Sequence, residues 1–330
     1  MTTAQAPIGS GFKAASTTND VINGQDLTGK VAIVTGGYSG LGVETVRVFL
    51  KAGAQVIVPT RDRARAEKAL AEVPGAELMD LDLMNPTSID AFADAFLASG
   101  RPLHVLVNNA AVMASPLLRD DRGNEAQFST NHLGHFQLTL RLWPALCKAK
   151  GARVVAVSSR GHRYAPVDLE DPNFNNRDYD PWKSYGQSKT ANALFALALD
   201  QRGKAHNVRA FSLHPGGILA TNLSRHMSAE ALQATGFVAK DGSPIIDPET
   251  GKKTLEQGAA TTVWCATSPQ LNGMGGVYCE DCDISPVVSA DAETVGVFFP
   301  GVWPWACDPH QAEKLWQLSE KMTGVSFPAS

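Results

Sequence analysis

The fold of this 330-residue chain is decided by the stretch VAIVTGGYSGLG at residues 31–42. Its first four residues form the short apolar run that is typical of a strand buried on both faces. A glycine-rich turn follows and leads into an amphipathic segment that carries Val43, Val46 and Leu50 on one side. Glycines allow the backbone to turn sharply and approach a ligand closely, and the first turn of a helix has free N–H groups. This context predicts a site for a phosphate-bearing ligand, although the glycines alone also fit a plain tight turn.

The same alternation of strand and helix continues along most of the chain. Further strands are predicted at residues 56–58, 78–81, 103–107, 154–157, 208–213 and 276–278, and helices at residues 64–71, 88–98, 126–149, 182–202, 255–267 and 309–322. Parallel strands are joined by crossover helices, which cover both faces of the sheet. The predicted fold is therefore α/β, a single Rossmann-type domain with a doubly wound parallel sheet and helices on both faces.

Three segments depart from this alternation. Residues 1–28 are rich in Thr, Ala, Gly and Asn and predict a flexible N-terminal arm, with one short helical turn near Thr17–Ile22. Residues 29–330 form the predicted Rossmann domain, with an irregular segment at about 217–253 and a C-terminal extension at about 286–330. The irregular segment is predicted to be a substrate lid, because long segments of this kind in a domain are often functional. It contains Gly, Pro and Asp alongside the apolar residues Leu219, Leu223, Met227, Leu232 and Phe237.

Composition and charge exclude several classes of protein. The net charge is −4 and no run of Lys and Arg forms a basic stripe, so a nucleic-acid partner is not expected. No apolar run reaches the roughly 18 residues that span a bilayer, and no membrane partner is expected. The N-terminus lacks a charged segment followed by an apolar one, which predicts a cytoplasmic protein without a secretory signal.

The chain has five cysteines, and an odd number does not fit a complete set of disulfides. A chain of this size also does not need disulfides for stability. Both observations favour a reducing compartment. Cys279 and Cys282 form a C-x-x-C pair that is similar to half a zinc site or a redox pair. A second pair and a thioredoxin-like context are both missing from the sequence. We therefore interpret the two as incidental thiols and expect no metal.

Two motifs resemble those of the short-chain dehydrogenase/reductase superfamily. Residues 35–42 have the spacing TGxxxGxG, and residues 108–111 read NNAA, similar to that family's NNAG with Ala in place of the last Gly. The resemblance covers about residues 29–285 and implies an oxidoreductase that uses NAD or NADP. The cofactor-binding residues that it implies are Gly36, Tyr38, Ser39, Gly40, Leu41 and Gly42 in the turn, Asp82 and Leu83 beside the adenine, Asn109, Ala110 and Ala111 on the nicotinamide side, and Pro215 and Gly216, whose following loop closes over the nicotinamide. Asp82 by itself also fits a solvated turn carboxylate.

The end of the second strand bears on the choice of cofactor. NAD-specific members of this family place an acid at the position of Thr60, where it binds the ribose 2′-hydroxyl, and this chain has none there. Arg61 follows, and a guanidinium can bind a 2′-phosphate through two parallel hydrogen bonds. Arg61 also fits an exposed residue at the start of a helix, since Arg63 and Arg65 follow it. We expect NADP to be preferred, with NAD as the alternative.

Tyr185 and Lys189 form a Y-x-x-x-K pair, and residues four apart share one face of a helix. Tyr179 and Lys183 have the same spacing, but Pro181 lies between them, where it would break a helix. An amphipathic stretch begins at Tyr185 and continues past Lys189. We therefore choose Tyr185 and Lys189 as the catalytic pair.

The chemistry of an alcohol dehydrogenase needs these residue types. A free tyrosine has a pKa near ~10, which is too high for a base at neutral pH. A nearby cation favours the phenolate and lowers that pKa. Tyr185 would then exchange a proton with the substrate oxygen while hydride moves to or from the nicotinamide. The resemblance implies that Lys189 also holds the ribose hydroxyls.

Two further residues complete the tetrad that the resemblance implies. Ser159 closes the fifth strand and fits the serine that polarises the substrate carbonyl, with Ser158 as the alternative and a structural neighbour. Asn131 matches the helix asparagine whose backbone and a water connect the lysine to solvent, and it also fits a buried asparagine. His132 and His135 are three residues apart and could suggest a metal, but no third ligand is apparent, so packing or surface roles are favoured.

The segment between Ser159 and Tyr185 is longer than usual for the family. This insertion, together with SKTANALF at 188–195 and SLHPG at 212–216, resembles the retinol dehydrogenase-like branch. We therefore expect an NAD(P)-dependent short-chain alcohol dehydrogenase or carbonyl reductase. Its small-molecule substrate is expected to be a mostly apolar alcohol, ketone or aldehyde, and the enzyme to be a homodimer or homotetramer.

Three other functions stay open at this point. A non-catalytic dinucleotide sensor would share the fold, but such proteins typically lose the Tyr or the Lys, and this chain keeps both. An epimerase or dehydratase of nucleotide sugars usually has the spacing TGxxGxxG, which differs from the one here. A binding scaffold would use Trp303, Trp305 and Trp316 of the C-terminal extension, although these aromatics could also cover the sheet or a subunit contact.

Overall fold

One sheet of eight strands organises the part of the chain that the structure describes. The structure is a computed structural model that describes residues 3–219, 221, 223, 236–239, 241, 243–288 and 300–328. The strands are β1 (Val31–Val34), β2 (Gln55–Thr60), β3 (Glu77–Asp80), β4 (Val105–Asn108), β5 (Ala152–Val157), β6 (Val208–Leu213), β7 (Val277–Glu280) and β8 (Asp283–Ile284). Their order is β3-β2-β1-β4-β5-β6-β7-β8, and only β8 is antiparallel to its neighbour. The predicted Rossmann-type α/β fold is confirmed.

Helices cover both faces of this sheet. The α-helices of the described residues are α1 (Thr18–Ile22), α2 (Leu41–Lys51), α3 (Arg63–Ala69), α4 (Pro86–Ala98), α5 (Ala126–Phe128), α6 (Gly134–Arg141), α7 (Trp143–Lys148), α8 (Pro181–Gly203), α9 (Leu255–Thr267) and α10 (Pro309–Thr323). Val31 and Ile33 of β1 belong to a buried cluster with α4, α6, α7, α8 and α10. Ala32 and Val34 belong to a second cluster with α1, α2 and α9. Because successive residues of a strand point to opposite faces, a strand covered on both sides is apolar throughout.

The helix predicted at residues 126–149 is divided in the structure. α5 passes into a π-helical turn at Ser129–Leu133, α6 ends at Arg141, and α7 begins at Trp143 with a proline in its first turn. The chain after the π-helical turn comes so close to the loop after β3 that a Cβ at Gly134 would lie 2.4 Å from the carbonyl oxygen of Leu83. An apolar periodicity does not encode an extra residue within one turn, so it predicted one continuous helix.

The N-terminal residues lie along the edge of the sheet, where composition predicts a flexible arm. The side-chain amide of Gln5 donates to the carbonyl oxygens of Tyr278 (2.7 Å) and Ser285 (2.6 Å), and it accepts from the N–H of Tyr278. The carboxylate of Asp283 accepts from the three N–H groups of residues 8–10. The short helix expected in this segment is present as α1, which packs on α9. These contacts differ from a flexible arm, and composition cannot reveal them because they join residues more than 270 apart in sequence.

The C-terminal extension packs its aromatic side chains inward. Trp316 of α10 is only 2% exposed, and its ring stacks on Phe195 of α8 with 6.1 Å between centroids. The main-chain N–H of Trp303 donates to Nε2 of His162 (3.1 Å), and the indole N–H of Trp305 donates to the carbonyl oxygen of His162 (3.2 Å). The hypothesis of a binding scaffold that presents Trp316 at its surface is therefore wrong, because that ring is part of the core.

Candidate active site

A cavity of about 660 Å³ opens at the carboxyl ends of the parallel strands, where the strand order reverses between β1 and β4. This is the position at which open α/β sheets bind their ligands. The predicted site residues that line it are Gly36, Tyr38, Ser39, Gly40, Leu41, Thr60, Arg61, Asp82, Leu83, Asn109, Ala110, Ala111, Ser159, Tyr185, Lys189, Pro215 and Gly216. Gly42 and Asn131 do not line the cavity, and each contacts a residue that does.

The glycine-rich turn between β1 and α2 forms one wall. Gly36 and Gly40 have positive φ angles of 65° and 52°, a region that L side chains rarely adopt. A Cβ at Gly42 would lie 2.2 Å from the carbonyl oxygen of Gly36, so this glycine lets α2 pack directly on the turn. Gly40 gives α2 no side-chain cap, and of the first N–H groups of the helix that of Gly42 donates to the carbonyl oxygen of Ser39 (3.1 Å). The turn therefore fits the pyrophosphate of a dinucleotide.

The end of β2 brings two guanidinium groups to the cavity. Thr60 is buried, and its hydroxyl donates to the carbonyl oxygen of Asp62 (2.9 Å), so it shapes the turn into α3. Arg61 and Arg65 both line the cavity, while Arg63 forms an ion pair within its own helix. The sequence analysis singled out Arg61 and took Arg65 only as a sign of a helix. Arg61 precedes the N-cap Asp62 and Arg65 lies in the first turn of α3, so helical spacing does not relate the two.

Thr35 joins the glycine-rich turn to the NNAA segment. Its hydroxyl oxygen accepts from the N–H groups of Asn109 (2.9 Å) and Ala110 (3.0 Å), and its carbonyl oxygen accepts from the side-chain amide of Asn109 (2.9 Å). Asp82 lies on the same wall, and its carboxylate accepts from the N–H of Met84 (2.9 Å) within the turn after β3. These bonds fix the backbone of three loops around one end of the cavity.

The catalytic candidates of β5 and α8 form the opposite wall. The side chain of Ser159 accepts from the N–H of Gly161 (3.0 Å) and lies near enough to the Tyr185 hydroxyl to lower its pKa. Nζ of Lys189 donates to the carbonyl oxygen of Val157 (3.0 Å). Ser158 points its hydroxyl away from this pair and donates to the main-chain oxygen of Lys189 (2.7 Å), so it ties the strand to the helix. The structure thus brings Ser159, rather than Ser158, to the tyrosine.

Burial dominates the electrostatics of this pair. It raises the pKa of Tyr185 to about 12, against the lowering effect of the nearby Ser159 side chain. It also lowers the pKa of Lys189 to about 7. Lys189 is not among the groups that shift the pKa of Tyr185 here, so the lowering expected from its cation stays a prediction. Tyr185 is therefore a phenol at neutral pH, a form that can donate its proton.

Asn131 lies behind the wall, in the π-helical turn, and is fully buried. Its side-chain amide donates to the carbonyl oxygen of Val112 and to the hydroxyl of Ser188, both at 2.9 Å, and its Oδ1 accepts from the N–H of Val112. The main-chain oxygen of Asn131 lies 3.0 Å from Nδ1 of His135. Asn131 therefore links the loop after β4 to the catalytic helix.

The competing Tyr179–Lys183 pair does not reach the cavity. α8 begins at Pro181, so Tyr179 precedes the helix. The hydroxyl of Tyr179 donates to the carbonyl oxygen of Ser115 (2.9 Å), and Lys183 is exposed. Pro181 does not break a helix here, as the sequence analysis assumed, but starts one, since its missing N–H is not needed at that position.

The segment after β6 contributes apolar side chains to the cavity. The N–H of Gly217 donates to the carbonyl oxygen of Gly251 (2.7 Å), and the N–H of Lys253 donates to that of Gly217 (3.0 Å), so the two ends of the segment predicted as a lid are paired. Three of its apolar residues line the cavity, namely Leu219, Leu223 and Phe237. Met227 and Leu232 lie outside the described residues.

Gly161, Tyr164 and Trp182, from the insertion and the start of α8, line the cavity and were not named as site residues from the sequence. A Cβ at Gly161 would lie 2.8 Å from Cε1 of Tyr185, and one at Gly186 would lie 2.7 Å from Cβ of Tyr164. These two glycines let the insertion pack directly on the catalytic helix. Tyr164 and Trp182 then meet edge to face, with 5.8 Å between centroids, beside Tyr185. Small residues next to a catalytic tyrosine are the signal that could have indicated this contact.

In the described part of the chain, no cluster of three or more His, Cys, Asp or Glu residues could hold a metal ion. All five cysteines are free, and Cys279 and Cys282 are buried. No helix in the same residues is both long and apolar enough to cross a membrane.

Comparison with known proteins gives the same class as the fold and the site. Residues 30–231 match the family described as short chain dehydrogenase, and the chain belongs to this family. A probable oxidoreductase of Streptomyces lividans is 44% identical over 301 residues, which are 88% of this chain and 97% of that protein. The human WW domain-containing oxidoreductase is 35% identical, over 94% of this chain and 72% of that protein.

Solved structures agree on the fold. A putative uncharacterized protein from Mycobacterium paratuberculosis superimposes with a TM-score of 0.71 at 32% identity, covering 96% of this chain and all of that one. An NADP active-site complex of RhlG from Pseudomonas aeruginosa superimposes with a TM-score of 0.58 over 77% of this chain and 94% of that one. It is 22% identical and shows the fold alone.

Proposed function

We propose that this oxidoreductase interconverts a primary or secondary alcohol and its aldehyde or ketone, with NADP or NAD as the redox partner. The observation that carries the proposal is the position of the Tyr185 hydroxyl. It lies with Ser159 on one wall of a cavity whose other wall is a glycine-rich turn at the start of a helix. A proton donor and a dinucleotide site in one cavity are the two components that carbonyl reduction needs.

The proposed mechanism assigns one task to each residue. The nicotinamide supplies or accepts the hydride when it is bound. The turn at residues 36–42 binds its pyrophosphate, and Lys189 holds the ribose hydroxyls. Ser159 donates a hydrogen bond to the substrate oxygen, and Tyr185 donates its proton to that oxygen as the carbonyl is reduced. Oxidation of an alcohol runs the same proton transfer in reverse.

We propose NADP as the preferred cofactor. Thr60 has no charge to repel a 2′-phosphate, and its hydroxyl is engaged with Asp62. Arg61 and Arg65 line the cavity at the same end. Charge-assisted bonds from guanidinium groups are about twice as strong as neutral ones, which favours the phosphorylated ribose.

The proposed substrate is a mostly apolar molecule, as in the retinol dehydrogenase-like branch that the insertion resembles. Leu219, Leu223 and Phe237 line the cavity from one side, and Tyr164 and Trp182 line it beside Tyr185. Tyr164 is 41% exposed although it lies in this wall, so its ring is available to a ligand. Apolar and aromatic walls with a few polar groups are typical of small-molecule sites. We further propose a cytoplasmic enzyme that assembles as a homodimer or homotetramer.

The test is oxidation of NADPH and NADH, followed at 340 nm, with a panel of aliphatic, aromatic and sugar-derived ketones and aldehydes. Turnover of apolar carbonyls that stops in the Tyr185→Phe variant would support the proposal. Cofactor binding without turnover of any compound would instead indicate a dinucleotide sensor. Turnover of nucleotide sugars alone would indicate an epimerase or dehydratase.

A further inference from the structure

His135 occupies a buried position between the cofactor cavity and the tetrad. It lies in the first turn of α6 and is 2% exposed. Its Nδ1 is 3.0 Å from the main-chain oxygen of Asn131, and its Nε2 is 2.8 Å from the hydroxyl oxygen of Thr35. The ring therefore touches one residue of the glycine-rich turn and one residue of the catalytic set, and it lines no part of the cavity itself.

The partners of the ring determine where its proton lies. A carbonyl oxygen only accepts hydrogen bonds, so Nδ1 must carry the proton and donate it to Asn131. The hydroxyl oxygen of Thr35 already accepts from the N–H groups of Asn109 and Ala110, so it has its own proton left to donate. Nε2 of His135 accepts that proton at 2.8 Å, a shorter contact than the alternative acceptor, the carbonyl oxygen of Val107, at 3.3 Å. The ring is thus neutral in one defined tautomer, and burial agrees because it lowers the pKa of His135 to about 4.

These bonds form a chain from the cavity wall to Asn131. It runs from the N–H of Ala110 through the hydroxyl of Thr35 and the ring of His135 to the main-chain oxygen of Asn131, where it ends. The donors in this chain point in the same direction, and such chains strengthen each bond by mutual polarisation. The side-chain amide of Asn131 makes a separate bond to the hydroxyl of Ser188, the residue before Lys189.

Asn131 lies in the π-helical turn that precedes α6. In such a turn the hydrogen bonds run to the fifth residue, as in the bond from the N–H of Gly134 to the oxygen of Ser129. Such turns interrupt the regular α-helical bonding and occur frequently at functional sites. The imidazole of His135 supplies a side-chain donor to the Asn131 oxygen.

We propose that His135 is a positioning residue, which fixes Asn131 through its main-chain oxygen. It acts through Asn131 and touches neither substrate nor cofactor. The expected change in kcat rests on the proposed function, whereas the tautomer assigned to His135 rests on the geometry alone. Displacement of a catalytic group by about 1 Å can lower a rate by roughly a hundredfold, so a loosened Asn131 should lower kcat.

The kinetic test compares three substitutions of His135. An asparagine amide occupies the position of Nδ1 and can still donate to Asn131, so His135→Asn should keep kcat within about threefold of wild type. His135→Gln places its amide near the position of Nε2, and His135→Leu has no donor, so both should lose about tenfold or more in kcat. KM for NADPH should change less than kcat. The substrate is the ketone or aldehyde with the highest rate in the panel.

A matched control is His132→Leu, which removes the other buried histidine of this region. His132 is bonded to Ser319 of α10, and its Nδ1 has no hydrogen-bond partner in the described part of the chain. We expect kcat of this variant to stay within about twofold of wild type, whatever its effect on the melting temperature. An equal loss of kcat in His132→Leu and His135→Leu would mean that His135 only fills space, and would overturn the proposal.

A second measurement does not depend on turnover or on the stability of a variant. Long-range ¹H–¹⁵N spectra of wild-type protein labelled at histidine nitrogens distinguish the Nδ1–H tautomer, the Nε2–H tautomer and the charged ring. The signal that disappears in His135→Asn should be that of a neutral Nδ1–H ring at pH 7. An Nε2–H or charged ring would overturn the proposal. A wild type that turns over no carbonyl, but shows the Nδ1–H ring, would contradict the proposed function and leave the assigned hydrogen bonds standing.

Discussion

Nζ of Lys189 lies 5.6 Å from the centre of the Tyr185 ring and donates its hydrogen bond to the carbonyl oxygen of Val157 instead of to the phenol. Both side chains are enclosed, so each favours its neutral form: burial raises the pKa of Tyr185 to about 12 and lowers that of Lys189 to about 7. The pair is therefore organised to hold a proton on the phenol. It also places a buried amine where a charge is costly, and that cost can be measured.

Replacing Lys189 by Met should stabilise the protein below neutral pH while abolishing catalysis. The pKa of Lys189 is about 7 in the folded protein against an ordinary value of 10.5, so the unfolded chain binds the proton more tightly. The protonated amine therefore destabilises the folded protein by its full amount below pH 7, and this destabilisation disappears as the pH rises to 10.5. The variant loses one hydrogen bond, but the carbonyl oxygen of Val157 keeps a second donor in the amide of Asn192 (3.1 Å).

The measurement is the melting temperature of wild type and of Lys189→Met, without added nucleotide, at pH 6.5 and pH 9.5. The variant should melt at a higher temperature than wild type at pH 6.5, and the difference should shrink at pH 9.5. A difference that grows with pH would contradict the assigned pKa. Lys183→Met serves as the control, because Lys183 is exposed and no pH-dependent difference is expected from it.

The choice between the two Y-x-x-x-K pairs can be decided by removing one hydroxyl at a time. Tyr185→Phe should lower kcat by about 10²–10⁴-fold, because it removes the proton donor, while the Kd for the cofactor changes little. Tyr179→Phe is the matched control, since its hydroxyl bonds to Ser115 outside the cavity. It should lower the melting temperature without a comparable loss of kcat. If Tyr179→Phe were the inactive variant, the assignment of the acid would be wrong.

Cofactor preference should depend on the arginines at the end of β2. Arg61→Ala should lower the ratio of kcat/KM for NADPH to that for NADH by about tenfold or more, because a charge-assisted bond to the 2′-phosphate is lost. Arg65→Ala should lower the same ratio. Arg63→Ala is the control, because Arg63 forms an ion pair with Glu67 and does not line the cavity. A wild type that prefers NADH, or three variants with the ratio of wild type, would count against NADP.

Binding of an apolar substrate should strengthen with its length. Across a series of methyl ketones, KM should fall about fourfold per added CH₂ until the cavity is filled, since each buried CH₂ contributes about 0.8 kcal/mol. Phe237→Ala should weaken this dependence, because Phe237 lines the cavity. Ile246→Ala is the control from the same segment, since Ile246 is 48% exposed and lies outside that cavity. A KM that does not fall with chain length, or a preference for sugars, would contradict an apolar substrate.

The elements of this fold could be predicted because local signals encode them. β1 is apolar at every position since both of its faces are covered, and α9 begins and ends at the residues that its amphipathic pattern predicts, Leu255 and Thr267. The break before α7 has a local signal in Pro144, but the π-helical turn beside the close approach of Leu83 to Gly134 has none. That contact joins residues 51 apart, and no local window contains both.

The candidate site divides in a similar way. The residues of the turn and of the Y-x-x-x-K pair lie in short motifs whose spacing carries the chemistry. Gly161 and Tyr164 belong to an insertion with no motif, and their place beside Tyr185 depends on how that insertion packs on α8. The sequence shows which charges lie near Tyr185 along the helix but not how deeply its ring is buried, and burial is the largest cause of its pKa shift.

Polar contacts and charged side chains protect the two edges of the sheet. At one side, Gln5 bonds to Tyr278 and Ser285, and the carboxylate of Asp283 holds the three N–H groups of residues 8–10. At the other side, β3 is four residues long and carries exposed acids at both ends. Short, charged or covered edges resist pairing with another chain. Subunits of a homodimer or homotetramer would accordingly associate through helices, and shortening the N-terminus should expose an aggregation-prone strand while leaving the cavity intact.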